Sequence, residues 1–433
     1  MKFNLYLFFM LPTTLLLGQA GHLMQGVGAS NMSMGGAATA QPLDISGAIQ
    51  WNPAGLSTFD QKIVKLDVGL FYSSPELNST VPEFDNTGQP TGNFYSGTTK
   101  DDKGASPLPA LAMVFGNESS KSTFGVSAFG VSGFGVTFPE NPTNPINAPQ
   151  SQGGFGRIES NYMLMQVSFS WAYELSDEFS IGVQPNIDYA SLKLMPNPTA
   201  NPSAAGYPST DATSSFGFGG QVGIYYHNAA GFKAGASYKS PQFFSDFDFD
   251  NTYLDNSTGT NTFNMGFPSI ISGGLGYSND MLDLAVDYRF VNYESTKGFD
   301  KTGWTSTASV QGFGWNNMSI LSAGVQFKGI NKLPLRVGYT YSSNPIPNEV
   351  AFFNVPATAI IKNAVQFGLS YSLNDKVKID GMYHHGMSKG HTTGQLLNPA
   401  FMSGYPPYGA IPGSEVSYSM TTDFVMLGVS YAF

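Results

Sequence analysis

The chain has 433 residues, of which 12 % are charged and 14 % aromatic, with 50 glycines, no cysteine and a formal net charge of −10. The missing thiols exclude disulfides, thiolate metal sites and cysteine nucleophiles, and an acidic chain without a basic stripe is a poor partner for nucleic acid. Charge far below the ~25 % of an ordinary soluble domain, with so much glycine and aromatic residue, suits many strands joined by tight turns, which a single large barrel accommodates at this length.

Residues 1–20 carry one basic residue, Lys2, then an apolar run over 5–17 broken by Pro12, then Gly18-Gln19-Ala20. Small residues at the −3 and −1 positions predict a secretory signal peptide cleaved after Ala20. The run is shorter than the ~20 residues a spanning helix needs, and no later run reaches that length.

Residues 21–60 read as a compact plug, or hatch, since they hold too many apolar residues for a disordered tail. Short helical turns are expected at 37–40 and at 46–49, the second behind a cap at Asp44. The glycine and proline content forbids a long helix. At the centre stands Trp51-Asn52-Pro53-Ala54, followed by Gly55, a composition suited to a fixed, folded-back turn.

From 61 to 433 the pattern is that of strands. In 423–433, Val425, Leu427, Val429, Tyr431 and Phe433 alternate with Met426, Gly428, Ser430 and Ala432, so one face is apolar and the other small or mixed. Fourteen such segments are expected, near 62–74, 105–116, 123–138, 157–173, 179–194, 216–227, 232–249, 263–277, 281–295, 315–328, 333–342, 360–373, 377–387 and 417–433. Most reach the ~9 to 11 residues of a tilted membrane strand. A soluble sandwich also alternates, but its strands are about half as long.

Connections alternate between short turns and long Pro/Asn/Thr/Gly-rich loops, which predicts an up-and-down, even-stranded antiparallel barrel with both termini on the short-turn rim. Aromatics near strand ends, such as Tyr72, Trp171, Tyr341 and Tyr431, fit interfacial girdles. The fold class is therefore all-β: a 14-stranded transmembrane barrel over 61–433 with the 21–60 plug in its lumen. In the third segment Gly130, Gly133 and Gly135 lie mid-strand, where glycine marks a kink or bulge, or makes room for a neighbour packed against the strand.

Taken together, the G-x-G-A-S-N-x-S-x-G-G-A stretch at 26–37, W-N-P-A-G-L at 51–56, and fourteen strands ending in Phe433 resemble the FadL/TodX family of outer-membrane transporters of hydrophobic compounds. The likeness covers nearly the whole chain after the signal peptide. It implies a barrel occluded by a hatch at whose motif Trp51, Asn52, Pro53 and Ala54 stand. Long-chain fatty acids or aromatic hydrocarbons would be captured at outer loops and released sideways through a kinked third strand, here Gly130, Gly133 and Gly135. No basic residues match those that hold a fatty-acid carboxylate in some members. The last strand also resembles the signal handed to the barrel-assembly machinery.

Inward-facing Arg336 and Lys378 either pair within the lumen wall or neutralise an acidic headgroup. Phe401, Tyr405 and Tyr408 in the last long loop either cover the barrel mouth or capture an apolar ligand. No catalytic motif is present, and His384-His385, on adjacent strand positions, point to opposite faces, a poor metal pair. The expected protein is thus a non-enzymatic, cofactor-free, monomeric channel of the bacterial outer membrane for a hydrophobic small molecule, with its lipid as surroundings. A general porin and an adhesive or structural barrel are the rival readings.

Overall fold

The computed structural model describes residues 21–85 and 89–433, so the expected signal peptide lies outside the described residues. Fourteen strands form the wall: β1 Lys62–Phe84, β2 Ala105–Phe115, β3 Ser122–Phe138, β4 Ile158–Glu174, β5 Phe179–Met195, β6 Thr213–His227 and β7 Phe232–Lys239. They continue as β8 Ser269–Ser278, β9 Leu282–Asn292, β10 Met318–Phe327, β11 Leu335–Ser342, β12 Asn363–Ser372, β13 Val377–Met387 and β14 Glu415–Ala432. Each pairs antiparallel with the next. The ring closes where β14 meets β1, from Ile63↔Ala432 to Thr80↔Glu415.

Closure joins the first strand to the last, the condition for strands to cross a bilayer. The outward set is apolar: Leu427 is 65 % exposed while Phe424, on the other face of the same strand, is 1 % exposed. Turns at 116–121, 175–178, 228–231, 279–281, 328–334 and 373–376 are short, and the seven other connections are long, as the loop spacing predicts.

Three boundaries differ from the sequence expectation. The first strand does not stop near 74 but runs to Phe84, because Pro90–Lys100 folds back on its outer half as a hairpin that rises above the wall. The seventh ends at Lys239 rather than 249, since Pro241 has no N–H to continue the ladder. Phe247–Thr252 instead pairs with Thr258–Phe263 and Ser209–Thr210 in a separate three-stranded sheet. The eighth accordingly begins at Ser269, after Pro268.

Residues 21–41 are all buried inside this wall. They lead through α1, Ala29–Met32, to α2, Ile45–Trp51, and a 3-10 turn, Pro53–Thr58. Asp44 caps α2 by accepting from the Gly47 amide at 2.9 Å, the predicted cap. The turn expected at 37–40 is absent, and one forms at Ala29–Met32 instead. The Ala38 and Thr39 amides are engaged by the Asp287 carboxylate of β9, at 2.8 and 2.9 Å, and so are lost to a local helix.

Candidate functional site

The Asn52-Pro53-Ala54 turn is fastened from both sides. The Asn52 side-chain amide donates to the Thr39 carbonyl at 2.8 Å and to the Ile224 carbonyl of β6 at 3.0 Å, and its Oδ1 accepts from the Ala54 amide at 3.2 Å. One side chain thus ties two parts of the N-terminal segment to the wall. The Trp51 carbonyl accepts from Gln221 Nε2 at 2.9 Å and from the Ser237 hydroxyl at 2.5 Å, and the Arg289 guanidinium lies 3.7 Å over the Trp51 ring. The wall makes room with glycine: a Cβ at Gly182 would strike the Pro53–Ala54 backbone, and one at Gly223 the Asn52 amide.

Buried charges complete the fastening. Lys65 Nζ lies 2.5 Å from Asp44 of the N-terminal segment, 2.8 Å from Asp380 of β13 and 3.7 Å from Asp67. Asp67 also accepts from the Ala29 amide at 2.9 Å. Asp287 Oδ2 takes the Thr39 hydroxyl at 2.8 Å in addition to the two amides, and Arg289 at 2.7 Å. Arg289 in turn donates to the Gly36 carbonyl at 2.7 Å. Charges this deep are stable only when every one is paired, and these are paired across the boundary between segment and wall.

Arg336 and Lys378 belong to the same band. Arg336 donates to Gln326 at 2.7 Å and Ser370 at 2.6 Å, and Lys378 lies 3.9 Å from Asp380. Neither lines the cavities described below: Lys378 lies beside Asp380 of its own strand, and Arg336 is held by neutral wall side chains.

The third strand bends as its glycines suggest, but the extra residue is Val131. Gly130 faces Met165 and Ser132 faces Leu164, so one residue on β3 goes unmatched. Beyond Phe129, β3 no longer pairs with β2, although it continues along β4 to Phe138. The freed groups are taken up by residues 22–24. The Met24 amide donates to the Val131 carbonyl at 3.1 Å, and the Gly133 amide and Ser132 hydroxyl both donate to the His22 carbonyl at 3.0 Å. A Cβ on Gly130 would stand 3.2 Å from Leu108 of β2, and one on Gly133 2.9 Å from the Tyr162 carbonyl. On Gly135 it would meet the Lys103 side chain at 2.6 Å. Lys103 donates to the Ser160 carbonyl at 3.2 Å and Asn161 Oδ1 at 3.1 Å, and burial lowers its pKa.

His22 sits in an aromatic cage that the sequence reading missed. Phe134, Tyr162, Phe267, Tyr293, Phe299 and Trp315 surround it with ring centroids 5.1 to 6.4 Å away. Its Nδ1 meets the Tyr293 hydroxyl at 2.7 Å. Burial lowers its pKa from 6.5 to about 3, so the ring is neutral near pH 7. The available signal was the aromatic run in 293–317, with Phe299, Trp304, Phe313 and Trp315 in a long connection.

Two neighbouring cavities share part of their lining. The outer, about 920 Å³, and a narrow inner one, about 50 Å³, share Ile146, Phe155, Tyr207, Trp304 and Phe352. Val355 and Pro356 line the inner cavity, while Thr358 and Ala359, next along the chain, line a third beside Gly133 and Phe134. Among the described residues, no charged side chain lines any of the three. The last loop contributes Leu396, Leu397 and Ile411 rather than the expected aromatics. Phe401 and Tyr405 are exposed, and Tyr408 packs edge-on against Phe353 and accepts from the Trp304 indole at its carbonyl.

No curated protein matches the chain in sequence. Solved structures share its fold. The Pseudomonas putida toluene transporter TodX aligns at 17 % identity over 94 % of this chain and 99 % of its own, with a TM-score of 0.69. A Pseudomonas aeruginosa FadL homologue aligns at 16 % over 96 % and 100 %, with 0.72, and the Ralstonia pickettii toluene transporter TbuX at 17 % over 94 % and 99 %, with 0.63. Residues 19–398 match the family model described as outer membrane protein transport protein (OMPP1/FadL/TodX). The chain therefore belongs to the OMPP1/FadL/TodX family of outer membrane transport proteins.

Proposed function

We propose that this protein is a passive channel for hydrophobic small molecules, entered at the long loops and left sideways through the wall at β3. The observation that carries the reading is a series of uncharged cavities that leads from the loop groove to the β3 bulge, where the N-terminal segment closes the gap. Apolar cargo is captured in the outer groove, where it leaves water, and then passes to the tighter inner cavity. Release follows when residues 21–24 let go of Val131 and Gly133 and the gap beside β2 opens to lipid. The hatch at Trp51-Asn52-Pro53-Ala54 stays in place, because moving it would separate buried ion pairs around Lys65 and Asp287.

Toluene transport, named for two of the structural neighbours, supports this cargo class, and a wall without charge favours neutral compounds over carboxylates. The family is one of transport proteins, so the function is passage rather than catalysis, and its place is the outer membrane. A monomer suffices for the route, and Phe433 closing an alternating strand suits delivery by the barrel-assembly machinery. The test is saturable binding and vesicle uptake of labelled alkylbenzenes and fatty acids by the purified barrel. Saturable uptake without liposome swelling in small sugars is expected. Swelling that matched an open porin would favour general diffusion, and absence of saturable binding would favour an adhesive or structural role.

A further inference from the structure

The cage around His22 holds two polar atoms without a partner. His22 Nε2 and the Tyr162 hydroxyl are both fully buried and meet no hydrogen-bond partner among the described residues, on rings whose centroids are 5.9 Å apart. An unmet buried donor or acceptor costs about 1 to 3 kcal/mol, so each orphan is a site at which a bound polar atom is favoured. Tyr293 occupies His22 Nδ1, which leaves Nε2 as the free position of the ring. Whichever tautomer that contact selects, Nε2 is complementary to a hydroxyl, which both donates and accepts.

We propose, on the transport reading above, that His22 with Tyr162 recognises a single neutral hydroxyl on aromatic cargo, so that phenols and benzylic alcohols are preferred substrates. The location fits: the inner cavity ends at Val355 and Pro356, the third begins at Thr358, and Phe134 belongs both to the cage and to the third cavity. Cargo in the third cavity meets Phe134, whose ring packs against both His22 and Tyr162. The aromatic walls select a flat ring. A carboxylate is rejected, since among the described residues no charged side chain lines the cavities on either side, and the Lys103 amine beside Gly135 is already engaged by Ser160 and Asn161. A plain hydrocarbon passes but leaves both orphans unmet.

The test is equilibrium binding of toluene, benzyl alcohol and benzoate to the purified barrel, read by quenching of tryptophan emission, in wild type, H22F, H22Q and Y162F. The decisive quantity is the ratio of benzyl alcohol to toluene affinity, which cancels changes in general packing. It should fall about tenfold in H22F, fall less in Y162F, and be largely restored in H22Q. Heat-modifiable gel mobility checks that each variant is a folded barrel, and Y162F serves if H22F is not. A ratio unchanged in both H22F and Y162F, or benzoate bound as tightly as benzyl alcohol, overturns the proposal and leaves the transport reading standing. Wild-type protein that bound none of the three would overturn both.

Discussion

At the scale of single residues, the inner polar groups fall into those that hold the N-terminal segment and those that face the route. Asp287 is the clearest holder, with two amides, a hydroxyl and a guanidinium converging on one carboxylate oxygen. Asp287→Ala should cost the segment's attachment ~3 to 5 kcal/mol, the usual penalty for breaking a buried pair. The expected signs are new protease cleavage within 34–60 and ion leak in planar bilayers, with the barrel still heat-modifiable; a tight, resistant variant would mean the attachment lies elsewhere. Asn52→Ala removes three hydrogen bonds and should loosen the same segment by ~1 to 3 kcal/mol.

His22 behaves differently with pH. Its pKa is depressed in the folded state, so the packed neutral ring contributes fully above about pH 6.5 and that contribution is lost as pH falls toward 3. At pH 5 the latch should be weaker by about 2 kcal/mol. The other titratable groups in the cage are the phenols of Tyr162 and Tyr293, which ordinarily titrate near pH 10 and are silent in this window. Tryptophan emission from Trp315 should change between pH 7 and 5 in wild type and stay flat in H22F; parallel curves would remove His22 as the cause.

At the scale of elements, β3 is the strand on which the route depends. Its sequence shows three glycines, and the structure shows why the residue between them matters more. The unmatched Val131 shifts the register, parts β3 from β2, and offers its carbonyl to Met24. Deleting Val131 should restore continuous pairing, since one residue fewer realigns Gly130 with Ser132 along β4. Uptake of labelled alkylbenzene into vesicles is expected to fall at least tenfold while binding to the outer groove persists. Undiminished uptake would place the exit elsewhere. Replacing Gly130, Gly133 or Gly135 is a blunter experiment, because a side chain there presses on Leu108, on the Tyr162 carbonyl or on Lys103.

At the scale of the whole molecule, the wall and its filling answer to different rules. Removing 21–59 empties the lumen of its buried segment without touching a wall strand, so small-solute conductance should rise severalfold in planar bilayers, and an unchanged conductance would show that the segment is not the barrier. The number of strands, the faces of residues such as Val425 and Phe367, and the sorting of loops were legible from sequence, because side-chain alternation repeats every two residues and is set locally. So was the Asp44 cap, which spans three residues.

What the sequence left open was every contact made across the closed barrel. Lys65 meets Asp380 over a separation of 315 residues, and His22 meets Tyr293 over 271. From sequence, Arg336 and Lys378 suit either pairing within the wall or binding an acidic headgroup; the structure shows the wall partners, Gln326 and Ser370 for the first and Asp380 for the second. The last loop looked aromatic, yet Leu396, Leu397 and Ile411 face the groove while Phe401 and Tyr405 face outward. Local periodicity determined a membrane barrel with something packed inside it. Closure of that barrel determined which inward residues meet, because pairing in a lumen depends on register and curvature summed around all fourteen strands, and no local stretch of sequence carries that sum.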